Sequence, residues 1–557
     1  NEGTASLNAH IGSIGDAEVV FHLDGSYRKT KDFDIPGFAE SEAFHEQEEH
    51  EEEHEDEDDH DEEEGHDEHD EDGHDEREGE AFGTVENSAT KTRTASAGLS
   101  FIFPNGFIGM NVKVNKSDYG VPAGHEHGHG HEDEHEDEED HHDEDEHEGE
   151  EDHHDEDGHE EEVPVTIDLD QVRFDVHGEY SGDFGFFKKA KFRFGYADYE
   201  HIELEGTEIG TVFKNEGWES RLDLIDEGGE NWGGASGIHY RYRDFSAVGE
   251  EAFVPATTSK HLGLYTVKEY HANNWHLDAG VRFEHTKYDA STVNANRTFN
   301  SFSGSVGVGY DLSEDLFFGV NLSRTERAPS TEELFSNGPH LATNAFERGD
   351  SSLGKEKALG VDATLSYAVE SFSLVLNGFY TSYDNFIYET ETGEEEDGLE
   401  VFQFQANDAK LYGFEAKAEA HLGAIETGTF GNIDVHLDGQ IDLVRAELDI
   451  SGNDNLPRIP PLSALVGIET RSESFDLRTE IEHAAKQTRV TEHELPTDSY
   501  TLWNAYLTLR PFDNKDISFE VRGTNLTNNE ARQHTSFLKD RLPLPGRNVK
   551  ASVRIKF

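Results

Sequence analysis

An all-β chain closed as a transmembrane antiparallel β-barrel is the fold class the sequence predicts, and three observations predict it. Apolar residues recur at every second position rather than at helical spacing, the mark of strands with two unlike faces. These dyad segments are about ten residues long and repeat between turn residues, as lipid-facing and water-facing positions alternate in a membrane barrel. Connections alternate between tight turns and long loops, as they do on the two sides of an outer membrane.

The first strands set the orientation. A strand near 17–30 leads into an acidic run at 41–80, a strand near 92–103 ends in the tight turn "FPNGF", and a strand near 107–118 leads into a second acidic run at 125–162. Two strands separate the runs, so both runs emerge on one side, which is expected to be the cell exterior. Further along, "KAKFRFGYADY" sets Ala190, Phe192, Phe194 and Tyr196 opposite Lys191 and Arg193, and "SFSLVLNGFY" continues the pattern through Phe372, Leu374, Leu376 and Tyr380. The chain ends on "VKASVRIKF", with Val549, Ala551, Val553, Ile555 and Phe557 on one face and Lys550, Ser552, Arg554 and Lys556 on the other. About 480 residues outside the acidic runs, at ~22 per strand with its connection, give about 22 strands in one barrel domain over 1–557. No run of 18 apolar residues exists, so a transmembrane helix is excluded. The chain opens at Asn1 without a visible signal peptide, as expected of a mature chain or a fragment. Trp218, Trp232, Trp275 and Trp503 are candidates for interface anchors, with ordinary packing as the alternative.

Charge narrows the partners. The chain carries 122 acidic and 45 basic side chains, a formal charge of -77, which speaks against nucleic acid and favours cations. The two acidic runs hold 48 of those acids and one basic residue, Arg77, and without them the charge is still -30. With no cysteine and one methionine, Met110, any metal must be held by nitrogen and oxygen. No phosphate loop, "GxSxG" or "HExxH" is present, and no carboxylate pair stands out among so many, so an enzyme is not expected.

The acidic runs have too few apolar residues to fold alone and are expected to be disordered extracellular loops. They nevertheless contain 18 of the 33 histidines, which an anionic bristle does not need. The first run has His45, His50, His54, His60, His66, His69 and His74; the second has His125, His127, His129, His131, His135, His141, His142, His147, His153, His154 and His159. Imidazole mixed with carboxylate suits Zn²⁺, whereas carboxylate alone suits Ca²⁺ or Mg²⁺. Close spacing lets a flexible segment wrap one ion with several ligands, so the runs read as a capture antenna for a divalent metal. Ni²⁺, Co²⁺ and Ca²⁺ stay open beside Zn²⁺. Ordered ligands are expected in "NGPHLATNAFERGD", with His340, Glu347 and Asp350, and in "HAAKQTRVTEHELPTD", with His483, Glu492, His493, Glu494 and Asp498; an exposed loop residue without a ligand role is the alternative for each.

Five motifs in order, "SRTERAPSTEELFSNGPH" at 323–340, "LYGFEAKAE" at 411–419, "RIPPLSALVGI" at 458–468, "GTNLTNNEAR" at 523–532 and "LPLPGRNVKASVRIKF" at 542–557, resemble the barrel of TonB-dependent outer-membrane receptors. The segment "DGSYRKTKDFDIPGFAES" at 24–41, followed by a His-rich loop, is similar to the zinc-uptake branch. The resemblance implies a bacterial outer-membrane protein embedded in lipid, coupled to the TonB complex through an N-terminal plug domain that this chain does not contain, and truncation is the expected reason. It also implies a loop His and a loop acid as metal ligands, for which Glu347 and His493 are the analogous positions. In "RTERAP", Arg324 and Arg327 are expected in structural salt bridges rather than in plug contacts.

The function expected is uptake of Zn²⁺ into the periplasm. A receptor for a siderophore, haem or another metal chelate, a passive cation-selective porin, and a surface metal buffer are the alternatives.

Overall fold

The computed structural model describes residues 1–47, 81–122, 164–226, 229, 231–249, 252–340, 342–396, 398–428, 431–512 and 516–557. Among them, one sheet of 23 strands dominates, and within it 21 long strands follow one another in chain order, from Glu2–Ile14 to Asn548–Ile555, each antiparallel to the next. The other two members, Asn337–His340 and Ala345–Arg348, form a small hairpin in a connection. The barrel expectation of about 22 strands is met in kind and size. Because 21 strands alternate in direction, the first and last run the same way; an ion pair from Lys550 to Glu2 joins them, and no ladder does so among the described residues.

Alternation is visible in every wall strand. In Trp275–Ala290, Leu277 and Val281 stand out from the wall with 39% and 61% exposure, the apolar band that lipid covers. The intervening Asp278, Arg282 and Glu284 point inward, where Arg282 pairs with Glu284. Similar inward pairs join Arg221 to Asp223 and Arg478 to Asp438 across the lumen wall. Pairs of this kind, with at least one partner partly exposed on the inner face, each contribute little to stability.

Short turns lie at one end: Gly15–Asp16, Pro104–Asn105 in "FPNGF", Asn273–Asn274 and Glu370–Ser371. Long connections lie at the other, including 30–89, 121–164, 328–355, 449–462, 485–499 and 525–547. Both acidic runs therefore leave from the same end. Trp232 and Trp275 stand at the short-turn end, tilted against Tyr270 and Tyr310 with ring centres 4.6 and 4.7 Å apart, as interface anchors would be.

The barrel has its apolar surface outside, and among the described residues the buried apolar clusters lie where loops fold over the mouth. Tyr288, Ala290, Phe299, Leu334, Phe335, Leu353 and Ile387 form one such cluster, and Ala409, Ala446, Leu448 and Leu456 another. The short helix Thr331–Phe335 enters the first cluster through Leu334 and Phe335, fixed at its start by a reciprocal Ser330–Glu333 capping box. Arg327 of "RTERAP" pairs with Glu333 and Glu356, and Arg324 with Glu326, so these arginines hold the loop base together.

One boundary needs correction. Residues 41–47, expected to belong to a disordered loop, are helical at 42–47 and packed on the loop 525–547. Phe44 is the reason: it is an apolar anchor within an acidic segment, 8% exposed, with the Arg541 guanidinium 4.5 Å from its ring centre.

Candidate metal site at the loop end

The hairpin Asn337–His340 and Ala345–Arg348 rises from the loop 328–355 and is seated by apolar residues below it. Phe346 packs on Leu399 and Val401, and the strand Ala345–Arg348 adds in parallel to residues 401–403. This register places His340 and Glu347 side by side, with His340 Nδ1 2.5 Å from Glu347 Oε1. Thr343 donates to the same carboxylate oxygen at 3.2 Å, and Phe253 stacks on the His340 ring at 4.3 Å. Glu347 is thus buried, clamped and oriented, while His340 keeps one ring nitrogen outside that contact.

Behind the hairpin lies a group of acids that the sequence did not single out. Glu389 and Glu391 belong to the long strand Phe372–Glu396, nine and eleven residues beyond the outward-facing Tyr380 and so above the lipid band. Glu389 is 6% exposed, and its Oε1 has no hydrogen-bond partner among the described residues. Burial, followed by the nearby Glu347 charge, pushes its carboxyl up to about 8. Burial, followed by Glu400 and Glu494, pushes Glu391 up to about 7.

Arg458 is the counter-charge. It lies 3.7 Å from Glu389, stacks on Phe537 at 3.9 Å, and its own basicity is lowered by burial despite four acidic neighbours. Its backbone N–H donates to Glu494 at 2.8 Å. Glu494 also faces His534 at 3.3 Å, and these partners outweigh the burial that would raise it, so its carboxyl lies below the ordinary range. The strand ends within 385–406 and the loops 449–462, 485–499 and 525–547 therefore meet around one arginine and several buried carboxylates. This arrangement suits a proton or a cation and disfavours an anion.

His493 stands at the rim of the same group, exposed, against Gly393. Gly393 has a φ of +71°, which favours glycine, and a side chain there would meet the His493 ring at 2.7 Å and displace it. His340 and Glu347 are brought into contact, and His493 sits on the neighbouring loop. Among the described residues, no three His, Asp or Glu side chains are disposed around one ion position. Asp350 caps the turn after the hairpin through Ser352 N–H, Asp498 pairs with Lys486, and His483 bonds Thr501 on the barrel wall. Of the acidic-run histidines, His45 lies in the packed helical turn. His50, His54, His60, His66, His69 and His74, and the eleven from His125 to His159, lie outside the described residues.

The root of the first run is held by a single buried cation. Arg532, 9% exposed, donates to the carbonyls of Phe38, Ala39, Glu40, Lys539 and Asp540, tying segment 38–47 to the loop 525–547.

Residues 137–526 match the family model described as TonB dependent receptor-like, beta-barrel. The chain belongs to this family. A relative, the TonB-dependent heme receptor A of Haemophilus influenzae (strain 86-028NP), is 24% identical over 351 residues, 55% of this chain and 46% of that protein, so the match spans about half of the relative's length. Among solved structures, the copper transporter OprC has a TM-score of 0.70 at 15% identity, covering 100% of this chain and 80% of that one. The FrpB iron transporter from Neisseria meningitidis (F3-3 variant) has a TM-score of 0.67 at 12% identity, covering 100% of this chain and 79% of that one. At such identities the likeness is one of fold. The family is made up of receptors and transporters rather than enzymes, and its barrels lie in the Gram-negative outer membrane, where this TonB-dependent receptor barrel belongs.

Proposed function

We propose that this receptor barrel takes up Zn²⁺ across the outer membrane, with the two acidic His-rich runs collecting the ion and the loop-end group around His340, Glu347 and Glu389 receiving it. The observation that carries the reading is that 18 histidines and 48 acids are concentrated in two runs that leave the barrel at the same end as the buried carboxylates. Many weak imidazole–carboxylate sites raise the local ion concentration without trapping it. The buried group then offers a stronger, desolvated electrostatic sink for the ion. Energy for passage would come from TonB, as the family to which the barrel belongs implies.

The test is zinc accumulation in cells carrying the full-length receptor, compared with a form lacking 48–80 and 125–162. Uptake falls at scarce zinc and recovers when zinc is plentiful if the runs are an antenna. Equal performance with Ca²⁺, or no loss at scarce zinc, defeats the reading. A second reading, uptake of haem or another chelate, is favoured by the haem-receptor relative; haem binding by the purified chain and haem-dependent growth without any zinc effect would establish it instead.

A further inference from the structure

At the opposite mouth, the strands Thr257–Ala272 and Trp275–Ala290 are joined by the turn Asn273–Asn274, and His271 and His276 are partners across it. Trp275 and Leu277 flank His276 on the outward, lipid-facing phase, so His276 faces the lumen together with Asp278 and Arg282. The two rings turn their Nδ1 atoms toward each other at 2.8 Å. Their opposite nitrogens face carboxylates: His276 Nε2 is 2.8 Å from Asp311 and His271 Nε2 is 3.8 Å from Glu269. Asp311 is itself fixed: its backbone N–H donates to the Asn274 carbonyl, and the Asn274 side-chain Nδ2 donates back to the Asp311 carbonyl, each at 2.9 Å.

We propose that His271 and His276 form a two-histidine site for Zn²⁺ or a similar divalent transition metal ion at the short-turn mouth of the lumen. A carboxylate that accepts Nε2–H leaves the Nδ1 lone pair for a metal and sets the ring's orientation, as Asp311 does for His276, whereas Glu269 at 3.8 Å lies beyond hydrogen-bond reach of His271 and supplies only negative charge beside it. On a tetrahedral ion with bonds of about 2.0–2.1 Å the two nitrogens stand about 3.3 Å apart, so opening the pair by ~0.5 Å seats the ion. No third protein ligand is disposed there among the described residues, and water completes the shell. Such a site exchanges fast, which suits an exit step rather than storage. The inference is independent of the loop-end reading, because it concerns residues at the other end of the barrel.

The test is anomalous diffraction at the zinc edge from crystals of the full chain soaked in Zn²⁺, with three variants. A peak between the two Nδ1 atoms is expected, absent in H271A/H276A and retained in H421A/H436A. The latter removes another histidine pair, joined across a hairpin elsewhere on the same mouth of the barrel, whose rings stack at 4.9 Å rather than converge. D311N removes the support of His276 and should weaken zinc binding about tenfold while the barrel remains folded, as judged by heat-modifiable mobility. No peak in the parent, or a peak that survives H271A/H276A or vanishes from H421A/H436A, overturns the proposal: the rings are then joined by an ordinary hydrogen bond, or the peak belongs to the rim at large. Failure of zinc capture by the loops leaves this peak in place, so the two readings fail separately.

Discussion

Glu389 sets the pH behaviour of the loop end. Its carboxyl, ordinarily near 4.5, rises to about 8 in the folded chain because burial and Glu347 oppose its charge. The folded state therefore holds the proton more tightly than the unfolded one, and the stability linked to it is full below about 4.5 and is lost as pH rises through about 8. Hydrogen-exchange protection of 385–406 should fall across that window in the parent chain. In E389Q the fall should be shallower and confined to the lower part of the window, because the amide carries no charge at any pH while Glu391, raised to about 7, still titrates; equal slopes in the two chains would mean that Glu389 does not set it. Little of this was legible in the sequence. In "FIYETETGEEED" Glu389 and Glu391 look like solvent-facing acids on a dyad strand, and what buries them comes from Arg458, Glu494 and Phe537, dozens of residues away. His340 and Glu347, close in sequence and joined by a hairpin, were the part of the group that short-range spacing could suggest.

The strands were legible because lipid and lumen impose opposite demands on neighbouring positions, so each wall segment carries its own two-residue signature. Connections carry no such signature, and segment 41–47 escaped detection because one Phe44 among acids is a weak signal. What holds this connection is Arg532, whose guanidinium serves five carbonyls contributed by 38–40 and 539–540. R532A leaves those acceptors without their donor, at about 1–3 kcal/mol for each that stays buried. The expected outcome is rapid proteolysis within 30–47 and 525–547 with unchanged heat-modifiable mobility, because Arg532 supports the loops and not the ladder. Cleavage that stays slow in R532A would show that Phe44 and the backbone bonds suffice. R532K, with one point charge in place of a planar fork, should fall between the two.

Across the whole molecule, the acidic runs carry 47 of the 77 net negative charges, and the strands that flank both runs end at the same mouth of the barrel. A field of that size draws cations from solution over roughly a Debye length, about 10 Å at 0.1 M salt, and shrinks as salt is added. Imidazole binds metal only when unprotonated, and surrounding carboxylates favour the protonated ring, so capture by the runs should weaken below roughly pH 6. Equilibrium dialysis of Zn²⁺ against the full chain and the chain lacking 48–80 and 125–162 separates the contributions. The difference in bound zinc between the two chains should be large at about pH 7.5, small at about pH 5.5 and reduced at ~0.5 M salt. Zinc retained by the shortened chain should respond much less to salt, since Glu347 and Glu389 are buried and screened from ions in solution. If the difference survives both acid and salt, carboxylates rather than imidazoles hold the metal and the histidines need another explanation. If it is absent at every pH, the runs are a charged coat, and selection of the cargo belongs to the loop end alone.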